Sequence, residues 1–462
     1  MVIGIDGGTY DIINPFFEQG LLPNLNKFRN RGILGSTMPP GTGVAWSSFS
    51  TGNKPEKTNI YDFTIVEDDS WKIKFVNRRI LQGKTLWEYL DEAGLRSCFL
   101  NIPLSYPPDK INGVIVSGID TPSTFSNYTH PPELKEKLKE FNYDIEVSGM
   151  KGLSDLPNEA VRILDARLKS ARHLIKDEFD FFAVLFRASD VVQHFAWGTD
   201  YVKEVYMKID EFIGEVQDNP NFEVIVMSDH GHEKVHRAFN VNTWLEQEGY
   251  LFTKLKKKSM LSNFINREKI FKIMDSLNLN FMLKMVPREL GKKIPTKNVD
   301  FEEAIITGIV EMDKTKAIAK RAVKSSQIFL NKESRGGIVR LEDEDRLKKE
   351  IKGKLLRYFS EKNLEVEIYT KEELYGNYTK YAPDITFYFK ERGYDTLSVI
   401  SPEKKLWDKT KEQATHNQDG IILTDMNLKL EGSNIIDLCP TILDYFGIGK
   451  KDVDGKSLLD VA

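Results

Sequence analysis

The sequence predicts an α/β fold: a doubly wound, mostly parallel sheet with helices on both faces and a small helical cap inserted into it. Three observations carry this expectation. Short apolar runs end in polar breaks, strand-like and helix-like patterns alternate over residues 1 to about 250, and a basic stretch of different texture interrupts them before they resume.

Taken in chain order, Val2–Ile5 reads as a strand running straight into Asp6, being apolar and too short for a helix. Leu22–Asn30 and Leu86–Ala93 read as helical, with a strand expected at Cys98–Asn101 and a helix at Glu133–Glu140. Phe181–Phe186 reads as a strand leading to Asp190, and Phe222–Met227 as one leading to Ser228-Asp229-His230-Gly231. Beyond the basic stretch, a charge-rich helix is expected over Glu342–Phe359, with strands over Asp384–Phe389 and Gly420–Thr424. A closing helix over Ile435–Phe446 has Gly447 as its cap.

At 462 residues the chain exceeds one compact core of usual size. We expect a catalytic core made of 1–250 and 298–462, and a cap or lid formed by 251–297. In that stretch twelve Lys or Arg face three acids, Glu268, Asp275 and Glu289, so it carries +9 in a chain whose net charge is −4. Apolar residues such as Ile270, Ile273, Met274 and Leu277 give it an amphipathic helical texture. Three readings stay open: a solvated helical cap, a lid that attracts an anionic substrate, or a surface helix that touches anionic lipid.

The near-neutral balance excludes a general nucleic-acid-binding surface and favours small-molecule partners. The two cysteines, Cys98 and Cys439, lie in apolar surroundings, which points to a reducing compartment. The strand at residue 2 leaves no room for a signal peptide, and no run is long and apolar enough to span a bilayer; the expected location is cytoplasmic.

Parallel strands align their carboxyl ends along one sheet edge, where residues far apart in sequence converge. The residues that would converge here are Asp6, Asp190, His194, Asp229, His230 and His416. Carboxylates with imidazoles form the ligand set of zinc, with manganese or magnesium as alternatives, and two divalent ions are the expected count. The chain has seven histidines, yet His194, His230, His232 and His236 fall in one short window, and Asp190 lies one helical turn from His194. Glycines flank Thr42 in Pro39-Pro40-Gly41-Thr42-Gly43, which lets the backbone approach a ligand closely. A metal ion on the Thr42 oxygen would make it a competent nucleophile near neutral pH.

Ile3-Gly4-Ile5-Asp6-Gly7-Gly8, Thr42 nine residues before Thr51-Gly52, Ser189-Asp190-Val191-Val192-Gln193-His194-Phe195, Met227-Ser228-Asp229-His230-Gly231 and Thr415-His416-Asn417-Gln418-Asp419-Gly420 form one set of motifs. Asn101-Ile102-Pro103, Tyr106-Pro107-Pro108 and Cys439-Pro440-Thr441-Ile442-Leu443 extend it. Over nearly the whole chain these resemble the alkaline phosphatase superfamily, in its type I phosphodiesterase and nucleotide pyrophosphatase branch. Position by position, the resemblance implies an alkaline phosphatase-like core in which Asp190, His194 and His416 hold one zinc-like ion. Asp6, Asp229 and His230 would hold the other, which also contacts Thr42.

The chain departs from that branch at Val44, where proline is usual, and at Phe63, where an asparagine steadies a phosphoryl oxygen. Both count against a nucleotide-specific reading. Asn59-Ile60-Tyr61-Asp62-Phe63 looks more like the microbial phosphohydrolase and phosphomutase relatives, although those have His-Gly where Thr58-Asn59 stand. His232 occupies a position usually filled by an aromatic; Asn59 and His232 are the substrate-side candidates, with a packed imidazole as the alternative for His232. The expected activity is hydrolysis of small-molecule phosphate esters, diesters or monoesters, through a phosphothreonine at Thr42. A phosphomutase on the same fold and a noncatalytic metal- or phosphate-binding protein are the alternatives. A sulfatase is excluded because Thr42-Gly43-Val44-Ala45-Trp46 lacks its cysteine or serine followed by proline and arginine.

Overall fold

The computed structural model describes residues 1–67, 69–146, 155–254, 301–376, 381–401, 403–449 and 452–460. Most of the basic cap expected over 251–297 therefore lies outside the described residues.

Eight strands form the central sheet, in the order Asn30–Gly35, Asp419–Thr424, Ile225–Met227, Val2–Ile5, Phe181–Phe186, Ser97–Ile102, Gly113–Ser117 and Thr129–His130. The five strands from Ile225–Met227 to Gly113–Ser117 are mutually parallel. Antiparallel pairs close both sides: Asp419–Thr424 against Ile225–Met227 and Asn30–Gly35, and Thr129–His130 against Gly113–Ser117.

The central strands read as unbroken apolar runs because both of their faces are covered. Alternate residues enter two separate cores. Ile3, Ile5, Phe182, Val184 and Phe186 pack with the helices Tyr10–Glu18, Leu156–Leu174 and Asp200–Gln217. Val2, Phe181, Ala183, Leu185 and Met227 pack on the other side with Thr42–Thr51, Leu86–Glu92 and Leu438–Tyr445. Gly4 lets the Thr42–Thr51 helix settle on the sheet: a Cβ there would stand 2.8 Å from the Trp46 ring.

A second, wholly antiparallel sheet follows, in the order Ala317–Ala322, Ser325–Leu330, Ile385–Phe389 and Val366–Thr370. The helix Leu341–Ser360 covers it with Leu347, Ile351, Leu355 and Phe359, four residues on one stripe at i, i+4 spacing. This sheet has its own buried cluster, and its first hairpin turns at Val323-Lys324, beside the site described below.

Two expected elements differ in kind. Leu22–Asn30 holds only the 3₁₀ turn Leu25–Lys27, and Asn30 already begins the edge strand. Leu22, Leu25 and Phe28 are buried, but their spacing of three suits a 3₁₀ turn, and Asp210 accepts hydrogen bonds from the backbone of Asn24 (3.2 Å) and Leu25 (2.7 Å). The closing helix starts as a 3₁₀ turn, Ile435–Asp437, and becomes α-helical at Leu438–Tyr445. No helix among the described residues is long and apolar enough to cross a membrane. Cys98 and Cys439 are buried and not joined in a disulfide.

Candidate metal centre

Three adjacent parallel strands deliver their end residues to one place. Val2–Ile5 delivers Asp6, Phe181–Phe186 delivers Arg187 and then the helix Ala188–Ala196 with Asp190 and His194, and Ile225–Met227 delivers Asp229 and His230. His416 arrives on a different element, the strand Ala414–Asn417, which pairs antiparallel with Gly231–Lys234 so that His416 faces His232. Thr42 is the first residue of its helix, after Gly41. All of these side chains are buried.

The donor atoms fall into two adjoining groups. In one, Asp190 Oδ1 lies 3.3 Å from His194 Nε2 and 3.1 Å from His416 Nε2, and those two nitrogens are 3.0 Å apart. In the other, His230 Nε2 lies 3.2 Å from Thr42 Oγ1, 3.3 Å from Asp229 Oδ2 and 3.5 Å from Asp6 Oδ1, while Thr42 Oγ1 donates to Asp6 Oδ1 at 3.4 Å. The His230 and His416 rings stack with centroids 3.6 Å apart, so the groups share a wall.

Backbone carbonyls set the histidine tautomers. His194 Nδ1 lies 2.9 Å from the oxygen of Ala414, His416 Nδ1 2.8 Å from that of Pro40, and His230 Nδ1 3.1 Å from that of Gly231. An Nδ1–H donated to a carbonyl leaves the Nε2 lone pair facing the cluster, the arrangement of metal-binding histidines.

These residues fit divalent cations. Asp229 Oδ2 is buried and accepts no hydrogen bond. Asp6 and Asp190 share one guanidinium, that of Arg187, which also pairs with Glu146. Uncompensated charge in such a place costs several kcal/mol per ion. Burial, with the Asp229 and Asp190 carboxylates nearby, pushes the Asp6 carboxyl well above its usual range, and burial raises Asp229 as well. Burial also opposes ionisation of Asp190, but His194, His416 and Arg187 outweigh it and hold that carboxyl well below its usual range. His416 is pushed down to about 3 by burial and by His230, which keeps it neutral and able to coordinate.

A cavity of about 150 Å³ opens on these groups, lined by Thr42, Asp190, His194 and His416 on one side and by Val44, Tyr61, Phe63 and Val323 on another. The model of one family, type I phosphodiesterase/nucleotide pyrophosphatase, matches residues 1–421. The chain belongs to that family. It is therefore a member of the alkaline phosphatase superfamily, and its fold is that of a phosphohydrolase.

Solved structures agree on the fold. Phosphonoacetate hydrolase from Sinorhizobium meliloti, in complex with phosphonoacetate, superposes with a TM-score of 0.58 at 13% identity, over 95% of this chain and 93% of that one. Human ectonucleotide pyrophosphatase/phosphodiesterase 5 gives 0.53 at 11% identity over 98% and 96%, and the murine protein 0.52 at 11% over the same shares. No curated protein matches the sequence significantly.

Within this phosphodiesterase-family core, Asp6, Thr42, Asp190, His194, Asp229, His230 and His416 all meet, and His232 lies among them. Asn59 does not line the cavity: it caps the short helix Pro55–Thr58 in a left-handed conformation, while its neighbours Tyr61, Asp62 and Phe63 form the wall. The basic residues Lys320, Arg321 and Lys324 are tied to acids, to Asp62, to Asp395 with Glu412, and to Glu233 respectively. Sequence reasoning missed Arg187, whose signal was an arginine directly after the apolar run Phe181–Phe186 and three residues before Asp190.

Proposed function

We propose that the chain is a two-metal phosphohydrolase that cleaves small-molecule phosphate esters through a covalent phosphothreonine at Thr42. The observation that carries this reading is the buried Thr42 hydroxyl at the cavity wall, 3.2 Å from His230 Nε2 and 3.4 Å from Asp6 Oδ1. Asp190, His194 and His416 would hold one ion and Asp6, Asp229 and His230 the other, with zinc expected and manganese or magnesium as alternatives. Bound there, such ions supply charge stabilisation to a transferring phosphoryl group and lower the pKa of a neighbouring hydroxyl.

The chain itself orients the reaction. Gly43 and Val44 line the cavity from the first turn of the Thr42–Thr51 helix, whose unpaired N–H groups and dipole favour a phosphoryl oxygen. Val44, Phe63 and Val323 form an apolar wall that keeps water from the leaving group's side. Thr42 Oγ1 gives its proton to solvent and attacks phosphorus; the Oγ1–P bond forms as the bond to the leaving alcohol oxygen breaks, and that oxygen takes up a proton from solvent, so no net proton is lost. Water then attacks phosphorus and gives up a proton, the Oγ1–P bond breaks, Thr42 Oγ1 takes up a proton to restore the hydroxyl, and phosphate or a monoester departs. The surplus positive charge of 251–297 would draw anionic esters toward the site.

The deciding experiment is a panel of phosphate monoesters, phosphodiesters and a sulfate ester offered to the metal-loaded protein, with acid-quenched samples analysed for phosphate on Thr42. Turnover of a phosphate ester with label on Thr42 supports the reading. Metal-loaded protein that turns over none of them would leave a noncatalytic binding role instead.

A further inference from the structure

The geometry points to His232 as an additional protein ligand of the ion held by Asp190, His194 and His416, giving that ion four protein donors. The inference rests on the two-ion reading above and adds one side chain to it.

His232 is fully buried on the strand Gly231–Lys234, directly opposite His416. Its Nδ1 lies 3.2 Å from the Gly7 carbonyl oxygen, so Nδ1 carries the proton and the lone pair sits on Nε2. Gln193 Nε2 donates to the same carbonyl at 3.0 Å, and its 3.5 Å approach to His232 Nδ1 is too long to compete. His232 Nε2 is buried, makes no hydrogen bond, and stands 3.5 Å from Asp190 Oδ1. A buried nitrogen left without a partner is unfavourable, and a cation is the partner this one faces.

The spacing fits. Four donors around a tetrahedral zinc at about 2.0–2.1 Å stand roughly 3.3 Å from one another. Four of the six separations within this group are 3.0, 3.1, 3.3 and 3.5 Å, and one donor atom from each of the four residues lies within 4.8 Å of the others. The His232 ring is set edge-on to His194 and His416, with centroids 4.7 and 4.9 Å away. Its seat is built by the loop after the first strand: Gly7 has φ +66°, and a Cβ there would stand 2.3 Å from His232 Nδ1. Both groups then have four protein donors, but the fourth in the other is the Thr42 hydroxyl, a weaker zinc ligand than an imidazole, and a zinc with four protein donors can expand to five-coordinate to take a phosphoryl oxygen. The ion held by Asp190 should therefore enter first and leave last.

The test is titration of the chelator-stripped full chain with cobalt(II), read by its visible ligand-field bands and by competition with a chelator, for the unaltered protein and His232→Phe. We expect the substitution to weaken the first-filled site by at least about tenfold and to change its band intensity. In parallel, cadmium-loaded protein carrying nitrogen-labelled histidine should show cadmium–nitrogen coupling at His232 Nε2, a measurement that needs no variant. Two bound ions without that coupling, or a variant with the same bands and affinity, overturn the His232 inference while leaving the two-metal reading intact. An unaltered protein that binds no ion overturns both.

Discussion

Arg187 Nε donates a 3.0 Å hydrogen bond to Asp6 Oδ2, while Oδ1 of the same carboxylate faces Thr42 and His230. Asp190 is divided the same way, with Oδ2 on Arg187 Nη2 at 3.0 Å and Oδ1 toward His194 and His416. One planar guanidinium thus fixes a carboxylate from each donor group through separate N–H donors in a rigid fork, a geometry that a lysine's compact ammonium does not reproduce. We expect Arg187→Lys and Arg187→Met each to weaken metal binding by roughly 10- to 100-fold, the usual scale for partners that orient ligands. Chelator competition checks this, and unchanged affinity in both variants would refute the role.

Metal analysis of protein purified without chelator should find close to two divalent ions per chain. His416→Ala should lose the ion of Asp190 and His194 preferentially, leaving close to one. A stoichiometry of zero or one with full activity would sink the two-metal reading.

Thr42→Ala should lower turnover by at least about 10³-fold, the scale of losing a nucleophile. Both ions should stay, because Asp6, Asp229 and His230 remain, and Thr42→Ser should keep part of the activity. Hydrolysis unchanged in the alanine variant would mean that water attacks directly.

Neutralising Lys256, Lys257 and Lys258 together should raise KM for an anionic ester and flatten its salt dependence, with little change in thermal stability. The same variant should leave anionic vesicles if the stretch touches lipid. If neither moves, the stretch is a solvated cap.

Away from the site, burial pushes the Asp120 carboxyl up from 3.8 to about 7, although it accepts hydrogen bonds from the backbone N–H groups of Leu104 and Tyr106. The folded state then holds a proton that the unfolded chain has released, so this group's contribution to stability is present below pH 3.8 and lost as pH rises through about 7. The stability of the unaltered protein relative to Asp120→Asn should fall across that window. Parallel melting curves from pH 4 to 8 would show that Asp120 does not titrate there.

Much of the site was legible because its signals are local. Val2–Ile5 and Phe181–Phe186 announce buried parallel strands by composition alone, and a parallel strand aims its next residues at one edge. Asp190 and His194 are one turn apart on any helix. The helix Leu341–Ser360 was equally plain as a charge-rich run, and Leu347, Ile351, Leu355 and Phe359 at i, i+4 spacing form the face it buries. Where local pattern was ambiguous it misled: Leu22, Leu25 and Phe28 are buried as their spacing suggested, but in a 3₁₀ turn held by Asp210, 185 residues away.

By itself the sequence determined the strand ends, the candidate donor types and the hydroxyl, because each depends on neighbours within a few residues. Only the tertiary structure decided which of them touch. The pairing of Gly231–Lys234 with Ala414–Asn417 sets His232 against His416, and the fork of Arg187 joins Asp6 to Asp190 across two strands. The wall that Val323 gives the cavity comes from a second sheet whose strands are all antiparallel, which strand-like runs in the sequence could not reveal. Such contacts are between residues far apart in the chain, and a linear pattern carries no record of register between distant strands.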